Sequence, residues 1–502
     1  MQNIRGQILR GSVWISGARI VANALSALST IVLARLLLPS DFGLVALATS
    51  MLAVLQASTE LSLSQALIHI KDPSRDHYNT AWTLNLGRGL LIGTGFAAAA
   101  PILAELYSEP RLGAVIVALG VSAALGGIQN PKLIMFQKKL KFHQDAILGV
   151  VAALVNVCVS IGSALVLRSY WALIAGLLAG QAVSIVLSYI MFPFRPALRV
   201  KHFRELWHFS AWVSVSQIVN TLNYRFDYLL VGTFLGRNDL GLYTVGGRLA
   251  VVPGQELVRP LTSTLFPAFS LAGSDTERLR RAYRRVQRVV TAVALPTSVG
   301  FGLVAEPFVR LALGPSWLGA IPIIQLLAFT FALDTLGSLV FPLAMAKGET
   351  RSLFLRNSLK LAIRMPLILI GMAAGGLAGL LAGRAIAGFI GVAIDMSMVA
   401  RLVGISVMAQ LRANIRCFLA TAVMIVACVS VHQPAAGDTV GLALQLAATI
   451  TVGLVSYISA TLACWQIAGR PEGPESEAID IGRNLVRLLA GRWKRLRERQ
   501  GT

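Results

Sequence analysis

Six polar residues near the start of the chain, Ser12, Ser16, Arg19, Asn23, Ser26 and Thr30, recur at steps of three and four, so a helix carries all of them on one face. Ser216, Asn220, Asn223, Tyr224 and Asp227 form a second such row. Arg248, Gln255 and Arg259 fall within a narrow sector, because eleven residues make close to three helical turns, and Gln56, Glu60 and Ser64 form a shorter row. Guanidinium groups keep their charge when desolvated, while amides and hydroxyls donate and accept hydrogen bonds. The chemistry on offer is recognition of a polar ligand, not bond making. The loops on the side poor in lysine and arginine are mostly a few residues long and carry no paired carboxylates at a spacing useful for acid–base work. The six histidines show no metal-ligand spacing, and Cys158, Cys417, Cys428 and Cys464 show neither metal-ligand nor disulfide spacing, so the cysteines are assigned to packing and no metal or cofactor is expected.

The elements that carry these rows are set by composition. The 502 residues are 55% hydrophobic and 14% charged, with a mean hydropathy of +0.69, whereas a soluble domain carries about 25% charged residues. Apolar runs of about twenty residues recur from end to end, each long enough to cross a hydrocarbon core about 30 Å thick. Helices are predicted at about 12–38, 41–70, 80–108, 112–137, 144–167, 171–193, 207–235, 240–271, 284–312, 318–346, 352–374, 376–403, 410–431 and 440–468. The segments between them are too short for a soluble domain. The first run lacks a small-residue cleavage site and reads as a retained span, not a signal peptide.

Charge placement orients these spans. A net charge of +22 in a soluble protein would point to nucleic acid, but here the lysines and arginines gather in every second loop, and only Arg111, Arg168 and Arg237 occupy loops of the other parity. Nucleic acid is therefore not the expected partner. The positive-inside bias places both termini in the cytoplasm and requires an even number of spans. Beyond Gly469-Arg470-Pro471 the residues Ala478, Ile481, Leu485, Leu488, Leu489 and Leu496 recur at helical spacing among arginines, which predicts an amphipathic helix on the anionic leaflet.

The chain also repeats itself. Ser12-Val-Trp14-Ile-Ser16 aligns with Ser210-Ala-Trp212-Val-Ser214, and Asp41-Phe-Gly43-Leu44 with Asp239-Leu-Gly241-Leu242, at one offset of 198 residues. Six spans separate the copies, so both have the same orientation and a pseudo-twofold axis along the membrane normal is expected. The expected architecture is an all-α polytopic membrane protein of about fourteen transmembrane helices. Its divisions are an N-terminal six-helix lobe over 1–206, a C-terminal six-helix lobe over 207–403, two extra helices over 404–468 and a basic tail over 469–502.

Within that frame, a charge near the bilayer centre costs about 2.5–3.5 kcal/mol and normally faces a bundle interior or a wet cavity. Hydrogen bonding between packed helices accounts for the serines and asparagines as well as a cavity does; for Arg19, Arg248 and Arg259 the cavity is the better reading. The candidate ligand-binding set is Arg19, Asn23, Gln56, Glu60, Asn220, Tyr224, Asp227, Arg248, Gln255 and Arg259. Arg225 lies nearly opposite its row, Arg35 and Arg310 are expected to snorkel at helix ends, and Glu256, Asp334, Arg384 and Asp395 are candidates for structural ion pairs.

Four segments carry a family resemblance: Ala34-Arg35-Leu-Leu-Leu-Pro39-Ser-Asp41-Phe42-Gly43, Phe136-Gln137-Lys138-Lys139-Leu140-Lys141-Phe142, Leu240-Gly241-Leu-Tyr243 and Leu265-Phe266-Pro267-Ala268-Phe269. With Gly314-Pro315-Ser316-Trp317 and the Ile321–Leu327 stretch, the chain resembles the Wzx-type polysaccharide flippases, in the colanic-acid and exopolysaccharide branch of the multidrug/oligosaccharidyl-lipid/polysaccharide exporter superfamily. The resemblance implies an inner-membrane transporter that moves an undecaprenyl-diphosphate-linked oligosaccharide between leaflets by alternating access, alongside a polysaccharide polymerase and glycosyltransferases of one pathway. Arginine suits the diphosphate, since its fork contacts phosphate bidentately. Two rivals remain. A multidrug antiporter of the same superfamily would use acids such as Glu60 and Asp227, and a membrane-embedded polymerase or glycosyltransferase would need acid–base groups on large loops.

Overall fold

In the computed structural model, residues 2–60, 63–70, 72–138, 142–263, 269, 275–431 and 439–470 are described. The basic tail, and with it the expected amphipathic helix, lies outside them. Every regular element among the described residues is helical. The helices that position the site are α1 (Gln2–Leu36), α2 (Pro39–Ser58), α3 (Leu63–His69), α4 (Arg75–Leu106), α5 (Pro110–Gly127), α6 (Ile134–Lys138), α7 (Phe142–Leu167), α8 (Trp171–Met191), α9 (Phe203–Leu230) and α10 (Arg237–Ser263). Thr276–Leu303, Ala320–Asp334, Val340–Ala346, Thr350–Val403, Ile415–Val431 and Thr439–Ile467 supply the rest of the long helical segments.

Ten described helical segments are long and apolar enough to cross a membrane, and the pair Val407–Ala413 and Ile415–Val431, bent by 54°, makes an eleventh. The 54-residue segment Thr350–Val403 holds two spans, because the backbone leaves helical geometry at Gly375 and Gly376, where Gly376 adopts a φ of 55°. Helices α9 and α10 are long enough, at 28 and 27 residues, but polar, since they carry the Asn220–Asp227 row and Arg248. Counted with these, the described residues hold fourteen candidate spans.

Two expected spans are interrupted. The 41–70 run divides into α2 and α3, and the 112–137 run divides at Asn130-Pro131. There the Asn130 carboxamide oxygen accepts from the Lys132 amide at 3.0 Å, and its nitrogen donates to the Ser188 and Phe192 carbonyls. Apolar periodicity runs through both breaks, so it gave no warning.

By packing, the described residues form two compact units: one of those up to Val252 with Phe308–Leu327 and Arg351–Ala387, the other of those in Pro253–Pro307 and Ala328–Thr350 with those from Gly388 to Arg470. In the first, Leu63, Leu67, Tyr78, Ile134 and Phe194 form one core cluster. In the second, Leu295, Val299, Met424, Cys417 and Cys428 pack together, which is where two of the four cysteines go.

Within the first unit, four turns interlock. Gly43 of α2 and Gly241 of α10 cross so closely that a Cβ on Gly43 would strike the Arg237 carbonyl, and one on Gly241 the Pro39 carbonyl. Pro39 and Arg237 are themselves related by the 198-residue offset, so the contact is reciprocal. Arg35 does not snorkel. Its guanidinium donates to the Ala312 carbonyl at 2.8 Å and to that of Leu311, where it answers the free carbonyls at the end of the π-helical turn Val309–Leu313. Trp317, fully buried, donates its indole N–H to the Ala34 carbonyl at 2.7 Å and meets Phe42 edge-on. The other copy mirrors this arrangement: Thr233 bonds Tyr107 at 3.0 Å and Arg237 pairs with Glu109.

Candidate functional site

Helices α1, α5, α7 and α8 of the first unit enclose a cavity of about 630 Å³, to which α10 contributes Arg248. Its wall carries Asn23, Ser26, Ser29 and Thr30 from α1, Gln129 following α5, Asn156 and Ser160 from α7, and Gln181 and Ser184 from α8. Among the described residues Arg248 is the one charged group in the lining, and its guanidinium donates to the Ser26 hydroxyl. Gln181 is held in place by Ser122, whose carbonyl accepts from the Gln181 amide at 2.7 Å and whose hydroxyl donates to its oxygen. The described lining carries a guanidinium and no carboxylate, so the cavity suits a polar ligand that is neutral or anionic, not a cation.

The candidates named from sequence separate into groups. Asn23 and Arg248 face this cavity. Arg19, one turn before Asn23 on the same helix, is exposed and lines no part of it. Gln56 and Glu60 meet Arg88 of α4, which donates to the Glu60 carboxylate at 3.1 Å, the Gln56 carbonyl at 2.7 Å and the Thr59 hydroxyl at 3.2 Å, so these two close the end of α2. Asn220 is half-buried and Tyr224 is 66% exposed. The side chains of Gln255 and Arg259 lie outside the described residues.

Asp227, only 1% exposed, sits in a buried cluster. One carboxylate oxygen pairs with both Arg364 and Arg384 and accepts from the Tyr243 hydroxyl at 2.8 Å. Arg364 also donates to the Asn223 carbonyl at 2.7 Å. The ion pair of Arg384 anticipated from sequence thus exists, with Asp227 as its partner. Arg225 places its guanidinium over the Tyr228 ring, 5.7 Å from the centroid.

The lining residues Gln129, Asn156, Ser160, Gln181 and Ser184 escaped the sequence reading, which followed charged rows. Asn156 with Ser160 and Gln181 with Ser184 are four and three residues apart inside otherwise apolar helices, and that spacing is the signal that marks them.

Comparison with known proteins follows the same line. The family model described as polysaccharide biosynthesis protein matches residues 32–322. Lipopolysaccharide biosynthesis protein WzxC of Escherichia coli strain K12 is 26% identical over 389 residues, 76% of this chain and 78% of its own. Succinoglycan biosynthesis transport protein ExoT of Rhizobium meliloti strain 1021 is 26% identical over 327 residues, 64% of this chain and 66% of its own. Among solved structures, lipid II flippase MurJ in an inward closed conformation matches with a TM-score of 0.71 at 12% identity, over 91% of this chain and 100% of that one, a likeness of fold.

Proposed function

The chain belongs to the polysaccharide biosynthesis protein family, and from that premise we propose that it is a flippase for undecaprenyl-diphosphate-linked oligosaccharide repeat units, carrying them from the cytoplasmic to the periplasmic leaflet for exopolysaccharide or lipopolysaccharide biosynthesis. The observation that carries the reading is a cavity among the long apolar helices whose single charge, among the described residues, is Arg248 and whose remaining polar groups are amides and hydroxyls. A diphosphate-sugar headgroup needs a cation for its phosphates and neutral hydrogen bonders for its sugar, while its polyprenyl tail stays in lipid. Alternating access of lobes 1–206 and 207–403, with 404–468 and the tail 469–502 outside the repeat, is the corresponding mechanism. The protein is a multi-pass membrane protein; we place it in the inner membrane, with both termini cytoplasmic, beside a polysaccharide polymerase and glycosyltransferases. It acts as a transporter and not as an enzyme.

The antiporter alternative is weakened by the acids it would use. Glu60 is paired with Arg88, and Asp227 with Arg364 and Arg384; neither lines the cavity.

The test is export of lipid-linked glycan in cells lacking the native protein, normalised to protein in the membrane. A charge-assisted hydrogen bond is worth about 1.5–3 kcal/mol, so Arg248→Gln is expected to lower headgroup affinity by about one to two orders of magnitude, and Arg248→Lys, which keeps charge but not the fork, by less. Full export by the triple variant Arg19→Gln, Arg248→Gln, Arg259→Gln would overturn the cationic mechanism. Cells without the protein that export normally and accumulate no lipid-linked repeat unit would overturn the flippase reading.

A further inference from the structure

The cavity is more specific than a generally wet path. Three of its lining side chains, Gln129, Asn156 and Ser184, make no side-chain hydrogen bond among the described residues, although each lies on the cavity wall. They come from three different elements: Gln129 follows α5, Asn156 is on α7 and Ser184 on α8. In a bundle interior, polar side chains normally find partners on neighbouring helices. Here Gln181 has done so and is oriented by Ser122, while these three keep open donors and acceptors.

The kind of ligand follows from that set. An amide presents an N–H donor and a carbonyl acceptor, and a hydroxyl presents both on one atom. Such a wall matches ligand groups that themselves donate and accept, and the hydroxyls of a sugar have that property. A diphosphate offers acceptors alone, so an amide oxygen facing it is unmatched; a cation would need carboxylates, which the wall does not have. The volume of about 630 Å³ lies inside the range of about 300–1,000 Å³ typical of pockets that bury a whole small ligand, enough for a short oligosaccharide.

On the flippase reading above, on which this inference rests, we propose that the cavity among α1, α5, α7 and α8 holds the glycan of the lipid-linked substrate. Arg248 stands on its wall and takes the anionic group that adjoins the sugar. Gln129, Asn156 and Ser184 are then specificity-determining residues: they report the sugar, and Arg248 reports the anion.

The experiment measures binding to full-length protein in lipid nanodiscs by native mass spectrometry, with three probes: undecaprenyl diphosphate, the same lipid bearing a neutral trisaccharide, and the free trisaccharide. The wild type is expected to bind the glycosylated lipid more tightly than the bare one. Each neutral hydrogen bond removed costs about two- to tenfold, so the double variant Asn156→Ala, Ser184→Ala should lose about fivefold or more on the glycosylated lipid and nothing on the bare one. Gln129→Ala, on an exposed residue of the cavity wall in the turn that follows α5, repeats the test where the double variant fails to fold. Arg248→Gln should weaken both lipids together. Equal losses on both lipids in the Asn156 and Ser184 variant, or none on either, would overturn the glycan assignment and leave the flippase reading standing. A free trisaccharide bound as tightly as the lipid-linked one would overturn the tie to a lipid carrier, and wild-type protein that binds neither lipid would overturn the flippase reading itself.

Discussion

At the scale of single residues, the lesson lies in Asp227. Spacing puts it on one face with Asn220 and Asn223, but a face does not declare its neighbour. The neighbours are Arg364 and Arg384, more than a hundred residues later, and they bring the carboxylate into a buried ion cluster away from the cavity. Arg248 was legible because an arginine at membrane depth has few places to go, whereas Asn156 and Ser184 carry no charge and their apolar surroundings masked them. The cluster yields a prediction. One carboxylate serves two guanidinium groups, so Asp227→Asn removes the anion that both of them bond and is expected to cost about 3–5 kcal/mol. Thermal unfolding of the purified protein in detergent should show a large loss for Asp227→Asn and a smaller one for Arg384→Met, which leaves one arginine to one carboxylate. The reverse order would show that the carboxylate is not the group that balances this site.

At the scale of elements, proline and glycine told most of the story. Pro39 and Pro110 open α2 and α5 at their first positions, and Asp41 accepts from the Leu38 amide at 3.1 Å to close the same turn. Gly375-Gly376 divides the 54-residue segment where the sequence placed a turn. The breaks after Ser58 and Gly127 were missed because they depend on partners, such as the Ser188 carbonyl bonded by Asn130, that no local pattern announces. The close crossing of α2 and α10 is testable. A methyl group at Gly43 has no room against the Arg237 carbonyl, while one at Gly95 meets nothing within 4 Å. Overpacking of this kind costs about 1–3 kcal/mol or more, so Gly43→Ala should lower the unfolding temperature and export, and Gly95→Ala should change neither. Equal behaviour of the two variants would remove the crossing from any account of stability.

At the scale of the whole molecule, the count of spans and the repeat were both readable, because hydropathy, charge parity and an ungapped offset are properties of long stretches. The offset does fail locally: the turns at Pro110 and Gly314 do not stand 198 residues apart, which is why their exchange with the opposite copies was invisible before the fold was known. The topology is open to a direct check. Reporter fusions after Arg111, Arg168 and Arg237 should read periplasmic, and those after Lys141, Arg204, Arg288 and Arg351 cytoplasmic. A cytoplasmic signal at Arg168 would break the span count and the repeat together.

The reciprocal meeting of Gly43 and Gly241 has one further consequence. Had the two copies been separate subunits of a symmetric dimer, every substitution in this contact would have struck twice, because each face of an isologous interface is encoded by the same codons. Joined in one chain, the two sides mutate independently. The shared backbone crossing kept glycine on both sides, while the positions around it drifted apart: proline at 39 faces arginine at 237, arginine at 35 faces threonine at 233. Each half was thereby released to choose its own fastening, guanidinium on carbonyls with a buried indole in one and an ion pair in the other. An internal repeat in one chain thus holds an asymmetry that a dimer of identical chains cannot encode, and a molecule that must carry cargo in one direction has use for two ends that do not let go alike.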